Sequence, residues 1–431
     1  MPLATIALHW QHSRRILSCA QVRRSQCLSF DNTSLLGDHT NSASEPNTKM
    51  KEKEKPMKRK FCHCSKALAA GILALATIPL ISHAAAPSTN AGYSQLFIVS
   101  DIVTVPPAAH QDSHLVNPWG IVASPSSVWV NDNGPGLLTT YSATGNPSKT
   151  TVNIPGPGGG SGTPNGLALN TTGEFVITNG SKHAASTYLM ATEDGTIVAW
   201  NQSVTGTNAV IVINRTNVDA VYKGVAIALD TNGAAHIYAS NFHSQMLDEF
   251  DGHFNYVQSF TDPNLPGAFA PFNVRTIRGR LFVTFAKKAD PNSHDDEAGP
   301  GNGFIDIFDT DGTLLRQFAA HDVLNSPWGM AVAPNSFGKF SHALLVGNFG
   351  DGKINAYDLL TGKVLGHFVT STGTDLVIDG LWGLTFEKDE VLDQESNFTA
   401  QRLYFTAGPN HEADGVLGIL RPVAPSFPPA R

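Results

Sequence analysis

Six times between Asn117 and Phe386 the chain repeats one theme: a turn of small residues or proline, then a short apolar run that usually carries a glycine. The copies read NPWGIV from Asn117, PNGLAL from Pro164, YKGVAI from Tyr222, PFNVRT from Pro271, SPWGMAV from Ser326 and GLWGLTF from Gly380. They recur at roughly 46 to 58 residues, the spacing of stacked or radial β-units. A unit that small cannot bury its own apolar face, so its neighbours must cover it.

Each copy is followed by further short runs rich in Val, Ile, Phe, Tyr and Thr and bounded by Gly, Asn, Asp or Pro, which is the signature of strands joined by tight turns. After NPWGIV come VWVND from Val128, LLTTYS from Leu137 and TVNIP from Thr151. The second unit reads as EFVITNG from Glu174, TIVAWN from Thr196 and AVIVIN from Ala209. Units three to five repeat the pattern, from HIYASNF at His236 to VLGHFV at Val364. Four strands per unit in six units predict an all-β, six-bladed β-propeller over residues 93–420. No helical periodicity persists beyond residue 85, which excludes a doubly wound α/β fold.

The sixth unit holds only three runs, GLWGLTF, RLYFTAG from Arg402 and GVLGIL from Gly415. A tail over 421–431, RPVAPSFPPAR after Leu420, has too many prolines to be expected in a sheet. SQLFIVSD, residues 94–101, is a strand without a blade. It is expected to become the outer strand of the last blade and close the ring, removing the edge an open propeller would expose.

From Met57 the chain reads MKRKFCHCSK, then ALAAGILALATIPLI, then SHAAAP. A basic segment, a short apolar core and small residues are the layout of a secretory signal over 57–84, with cleavage expected after Ala84 or Ala86. Residues 1–56 are polar and patternless, and Met1, Met50 and Met57 are all candidate starts; the segment reads as a disordered extension or an over-long start. All four cysteines, Cys19, Cys27, Cys62 and Cys64, precede the expected cut. The remainder then has neither disulfides nor thiolate metal sites. Removing residues 1–84 takes away about 12 of 29 Lys and Arg and about 5 of 36 Asp and Glu, leaving a net charge of about −14. So acidic a chain would repel nucleic-acid phosphate. The expectation is a periplasmic or extracellular monomer with no membrane span after signal removal.

In a propeller the inner strand of each blade starts on the face where the second strand ends, so both sets of loops converge on one mouth of the channel. This reading places Trp119, Asp132, Asn179, Asn241, Lys287, Trp328, Asn348 and Trp382 on a ligand-binding face. Asn and Asp at strand ends usually cap turns, and Trp beside Gly usually packs between blades. His110, His243, His294, Asp295 and His411 are assigned to the same face as candidate metal ligands. Imidazoles with carboxylates would suit zinc, and a ring of oxygens would suit calcium. GPGGGSG from Gly156 lacks the Gly-Lys-Ser/Thr ending of a phosphate cradle, and no G-x-S-x-G elbow is present.

The units SPWGMAVAP…HALLVGNFGDGKINAYDLLTG and NPWGIVASP…VWVNDNGPGLLTTYSATG resemble NHL-type propeller repeats. LVNPWG, VYKGVAIA, HDDEAGPGNGF, LNSPWGMA, LLVGNFGDGKINAYD and YFTAGPN are similar to an uncharacterised family of exported bacterial six-bladed propeller proteins, over about Leu96 to Leu420. That resemblance implies fold and export, not chemistry. More distant six-bladed propellers include lactonases, esterases and a zinc lyase that use calcium or zinc at the channel mouth. The expected function is a binding scaffold for a small molecule, glycan or protein. The alternative is a metal-dependent hydrolase or lyase on the same face.

Overall fold

A computed structural model describes residues 92–102, 108–387 and 402–423. The extension over 1–56, the signal over 57–84 and the tail beyond Val423 lie outside the described residues. Among the described residues five four-stranded antiparallel sheets run from an inner to an outer strand in sequence order. A sixth, five-stranded sheet takes its two outermost strands from the N-terminal side of the repeats, and a separate two-stranded hairpin is added in the second unit. Blade 1, for instance, is Pro118–Ala123, Ser127–Asp132, Leu137–Ser142 and Pro147–Asn153. The inner strands of the next five begin at Pro164, Tyr222, Phe269, Pro327 and Leu381, at or within a few residues of each repeat copy. The fold is the predicted six-bladed β-propeller.

Closure follows the expected route with a slightly longer strand. Gly92–Ser100 pairs antiparallel with Val416–Val423 and is the fourth strand of blade 6, outside Leu381–Phe386 and Leu403–Ala407. The last strand reaches three residues into the supposed tail, and Pro422 lies opposite Tyr93. Tyr93 turns its N–H away, to the Val369 carbonyl at 2.8 Å, so this pair exchanges no cross-strand bonds. Pairing with the inner neighbour ends at Leu420, so the N–H that proline lacks has no partner to lose. The Tyr93 ring then fastens the closing strand to blade 5, stacked on Phe368 at 4.0 Å, with its hydroxyl donating to the Phe337 carbonyl at 3.2 Å.

Blade 2 departs from the expected assignment. EFVITNG does not supply the second strand; Val176–Asn179 pairs with Lys182–Ala185 in a separate two-stranded hairpin. The second strand is Tyr188–Thr192, which lies between the inner strand and Thr196–Trp200. The reason is burial. A second strand is covered on both faces, and Tyr188–Thr192 is buried at every position, whereas three of the four residues of Val176–Asn179 are exposed.

Between blades 3 and 4 a carboxyl pair is buried. Asp306, in the third strand of blade 4, faces Asp262, and neither Asp306 oxygen has a hydrogen-bond donor of its own. Burial, then the charge and hydrogen bond of Asp262, push the Asp306 carboxyl up to about 8.

Two outcomes are expected. Tyr93→Ala should cost about 3 to 5 kcal/mol, the range for a buried aromatic ring, and lower the melting temperature; an unchanged melting curve would show that the closing strand does not hold the ring. An acid held protonated in the fold above its unfolded pKa favours folding in acid and loses that contribution as pH climbs from the unfolded value to the folded one. Asp306 should therefore make the wild type less stable between about pH 4 and about pH 8, by up to about 1.4 kcal/mol per unit. Asp306→Asn should remove that component and be the more stable protein near pH 8 in urea titrations.

Candidate functional site

The channel mouth is built from the repeat itself. Aligned on their glycines, the copies place Gly120, Gly166, Gly224, Asn273, Gly329 and Gly383 at one level of the inner strands. The backbones meet there so closely that a Cβ on Gly120 would lie 2.3 Å from the Asn165 carbonyl oxygen, and one on Gly329 2.4 Å from that of Trp382. The residue before each of these is Trp119, Asn165, Lys223, Phe272, Trp328 or Trp382. Drawn inward, they meet on the axis. Trp382 stacks on Trp119 at 3.4 Å and on Phe349 at 3.9 Å, and Trp328 sets its edge against both indoles at 5.7 and 5.8 Å. All three indoles are buried with their N–H groups bonded, two to Asn117 Oδ1 at 3.0 and 3.2 Å and one to the Lys223 carbonyl at 3.1 Å. The aromatic cluster plugs the channel.

Lys223 takes a plug position but carries a charge. Its ammonium lies 5.2 Å from the Trp119 ring centre and 5.8 Å from that of Phe242, and it pairs with Glu193 at the end of the second strand of blade 2. The lysine side chain is 3% exposed, while Glu193 is 26% exposed, so the pair opens to solvent on the glutamate side. Asn133 Nδ2 donates to the second Glu193 oxygen at 3.0 Å. Two more carboxyls complete the group. Burial raises Asp296, with Lys223 opposing and Asp295 adding to the rise. The Ser326 hydroxyl is close enough to ease it, yet neither Ser326 Oγ nor Asp296 Oδ2 completes a hydrogen bond within the described residues. Burial also raises Glu412, reinforced by the charge of Glu193 and opposed by Lys223 and Asn117. Ser326 is fully buried with φ 46°, a left-handed conformation that serine rarely adopts.

The predicted ligand-face residues divide. Trp119, Trp328 and Trp382 do meet, but as the plug. Asp132, Asn241 and Asn348 are buried within their blades: Asp132 accepts from Thr139 at 2.7 Å, Asn241 donates to Asp248 at 3.1 Å, and Asn348 donates to the Val323 carbonyl at 2.8 Å. Asn179 belongs to the extra hairpin of blade 2 and not to a second strand, which removes it from the mouth. Lys287 turns to Glu297 at 2.8 Å, and its neighbour Lys288 is the buried one, donating to the carbonyls of His243 and Pro291.

The candidate metal ligands do not assemble. His110 sits opposite Val99 on the outermost strand of the sixth sheet, four strands from the channel wall. His243 and His294 are adjacent, their rings edge-to-face at 5.9 Å, while Asp295 and His411 are exposed on separate loops. Among the described residues no group of three or more His, Cys, Asp and Glu is placed to hold a metal ion. At the mouth the ammonium of Lys223 supplies the positive charge that a divalent cation would bring to such carboxylates.

Sequence reasoning missed Lys223, Glu193, Glu412, Ser326 and Lys288. Alignment on the glycines would have found Lys223, which stands where three other copies have tryptophan. Correct pairing of blade 2 would have found Glu193. Glu412 directly follows the named His411, and which of two adjacent loop residues points inward is not readable from spacing.

Below the plug the channel holds a cavity of about 460 Å³, lined by the inner strands. Arg275 reaches across it from blade 4, donating Nη1 to the carbonyls of Met330 at 2.7 Å and Leu384 at 3.2 Å. Among the described residues no helix is long and apolar enough to cross a membrane.

No family model matches the chain. Two solved structures align at low identity: a catalytically inactive virginiamycin B lyase from Staphylococcus aureus with quinupristin (12% identity, TM-score 0.44, 77% of this chain and 99% of that one), and a Bacteroides thetaiotaomicron protein of unknown function (11%, TM-score 0.47, 76% of each). Sequence relatives are much nearer. The uncharacterized protein L690 of Acanthamoeba polyphaga mimivirus is 35% identical over 325 residues, covering 73% of this chain and 82% of its own length. Uncharacterized protein R648 of the same virus is 32% identical over 322 residues, covering 73% and 76%. With that identity sustained through most of both chains, this protein belongs to the family of the mimivirus proteins L690 and R648.

Proposed function

We propose that the protein is an exported binding propeller whose channel mouth takes a small polar molecule bearing an ammonium group. One observation carries this reading: at the mouth the hydroxyl of buried Ser326 and the buried Oδ2 of half-buried Asp296 complete no hydrogen bond within the described residues, beside a group in which three carboxyls share one lysine. Buried polar atoms without partners are rare and point to a missing partner. An ammonium offers three donors and the charge these acceptors lack. The plug gives it a water-excluding floor, and Glu193 gives it an entrance.

The raised pKa values of Asp296 and Glu412 set the pH dependence. An acid raised by burial holds its proton until the pH passes its folded pKa, and an arriving cation drives that proton off. Amine binding should therefore release protons and strengthen as pH rises through the range in which these two acids ionise. Calorimetry with 1,4-diaminobutane and glucosamine, in buffers of different ionisation heat, reads both effects. Saturable binding of an amine, absent for glucose and weakened at least about tenfold in Glu412→Gln, is expected. Equal behaviour of wild type and variant, or no amine binding, would overturn the reading.

Export is part of the proposal, supported by the basic, apolar and small-residue layout of 57–84 and by the lack of cysteine after it. Mass spectrometry of native protein should find an N-terminus at Ala85 or Pro87. An intact chain starting before Met50, recovered from cytoplasm, would sink this part.

A further inference from the structure

The flank of blades 1 and 2 carries a second constellation, far in character from the charged mouth. A shallow cleft there is lined by Trp129, Tyr188 and Trp200 with Asn201, Gln202 and Ser203. The rings form one surface: Trp129 lies 5.1 Å from Tyr188 and 5.4 Å from Trp200, and Tyr188 and Trp200 run nearly parallel at 12°. Tyr188 and Trp200 are buried, while Trp129 is half-buried and presents the accessible part of the surface.

The polar side of the cleft is built where blade 2 departs from the repeat. Instead of a tight turn, a short helix, Gln202–Thr205, joins the third and outer strands. Asn201 caps it, accepting from the Ser203 N–H at 2.9 Å and the Ser203 hydroxyl at 2.7 Å, and donates to the Ala185 carbonyl at 2.7 Å on the extra hairpin. Helix and hairpin are thereby locked together beside the aromatic surface. In that fixed frame the Gln202 side-chain amide and the Trp129 indole N–H make no hydrogen bond within the described residues, and both are accessible. No charged side chain lines the cleft.

We propose that this cleft binds a neutral saccharide. A sugar ring has an apolar C–H face and a polar rim of hydroxyls. The Trp129 face matches the first, and the Gln202 amide, the Ser203 oxygen and the indole N–H match the second. An anionic sugar would find no cation here, in a chain that is acidic overall. A protein partner would need a wider apolar patch than one half-buried tryptophan. Insertions into a repeat often lie on its binding face, and here the inserted helix lines the cleft while the inserted hairpin braces that helix through the Ala185 carbonyl.

The test uses cellohexaose, chitohexaose and maltohexaose, with an oligogalacturonate as the acidic comparison, on the full propeller, followed by tryptophan fluorescence and calorimetry. Saturable binding of at least one neutral oligomer, insensitive to salt because no charge is engaged, is expected. Trp129→Ala should weaken it at least about tenfold. Gln202→Ala, at an exposed position that cannot unfold the blade, should weaken it several-fold, and Glu412→Gln at the mouth should leave it unchanged. No binding of any neutral oligomer, equal binding by Trp129→Ala, preference for the oligogalacturonate, or capture of a proline-rich peptide in their place would each overturn the proposal. The amine reading of the mouth stands or falls separately, since neither Trp129 nor Gln202 takes part in it.

Discussion

The closeness of the six inner strands is the constraint on which the molecule depends. Glycine at the ring level removes the only atom that would hold neighbouring strands apart, and carbonyl oxygens then lie where Cβ atoms would be. Asn273, the one ring position with a side chain, turns its amide to use: Nδ2 donates to the Trp328 carbonyl at 2.9 Å and Oδ1 accepts from the Val274 N–H at 2.8 Å. Where glycine at Gly383 leaves room, Thr406 fills it, donating to the Trp119 carbonyl and accepting from the Gly383 N–H at 2.8 Å. Blade-to-blade contact at the axis is therefore made by backbone and short polar groups. The large side chains are pushed one residue along, where they meet as the plug.

That displacement gives the mouth its chemistry. Six plug positions on one ring cannot all hold indoles, and the ring divides into an aromatic arc of Phe272, Trp328, Trp382 and Trp119 and a polar arc of Asn165 and Lys223. A buried ammonium costs several kcal/mol unless it is paired. Glu193 pairs it directly, and Asp296 and Glu412 lie within reach of its charge. Burial makes Asp296 and Glu412 hold their protons more tightly than usual, and the charge of the single lysine offsets it only in part.

Much of this was legible in the sequence. Repeat spacing gave the blade count, and the orphan strand beside a three-strand final unit gave the closure, because both rest on the rule that a sheet edge must be covered. The pairing of blade 2 was not legible. EFVITNG and YLMAT are both good strand sequences, and the choice between them depends on which is covered on two faces. The residues singled out around the mouth often adjoin the ones the fold buries there, as with Lys287 for Lys288 and His411 for Glu412. Loop side chains do not obey the two-residue alternation of strands, so spacing alone could not settle their direction. The aromatics were named correctly and given the wrong duty, since exposure is a property of packing across an axis that no single strand reveals.

The asymmetry of the ring also explains where the two candidate sites lie. Blades 1, 3, 4 and 5 keep the simple four-strand plan, blade 6 adds a short fifth strand at its outer edge, and blade 2 alone inserts both a hairpin and a helix into its connections among the described residues. Blade 2 also supplies Asn165 to the polar arc and Glu193 to Lys223 of blade 3. Its inner strand is thus relieved of a large plug side chain, while Asn165 holds the adjoining strand directly, donating to the Tyr222 carbonyl at 2.5 Å. A blade secured by that bond and by its buried second strand can carry insertions at its far end without disturbing the axis. The aromatic arc bears the closure of the channel, and the polar arc is left free to vary. Blades 2 and 3 bring the ion pair of Glu193 and Lys223 to the mouth, and blades 4, 5 and 6 reach it only through their loops, with Asp296, Ser326 and Glu412.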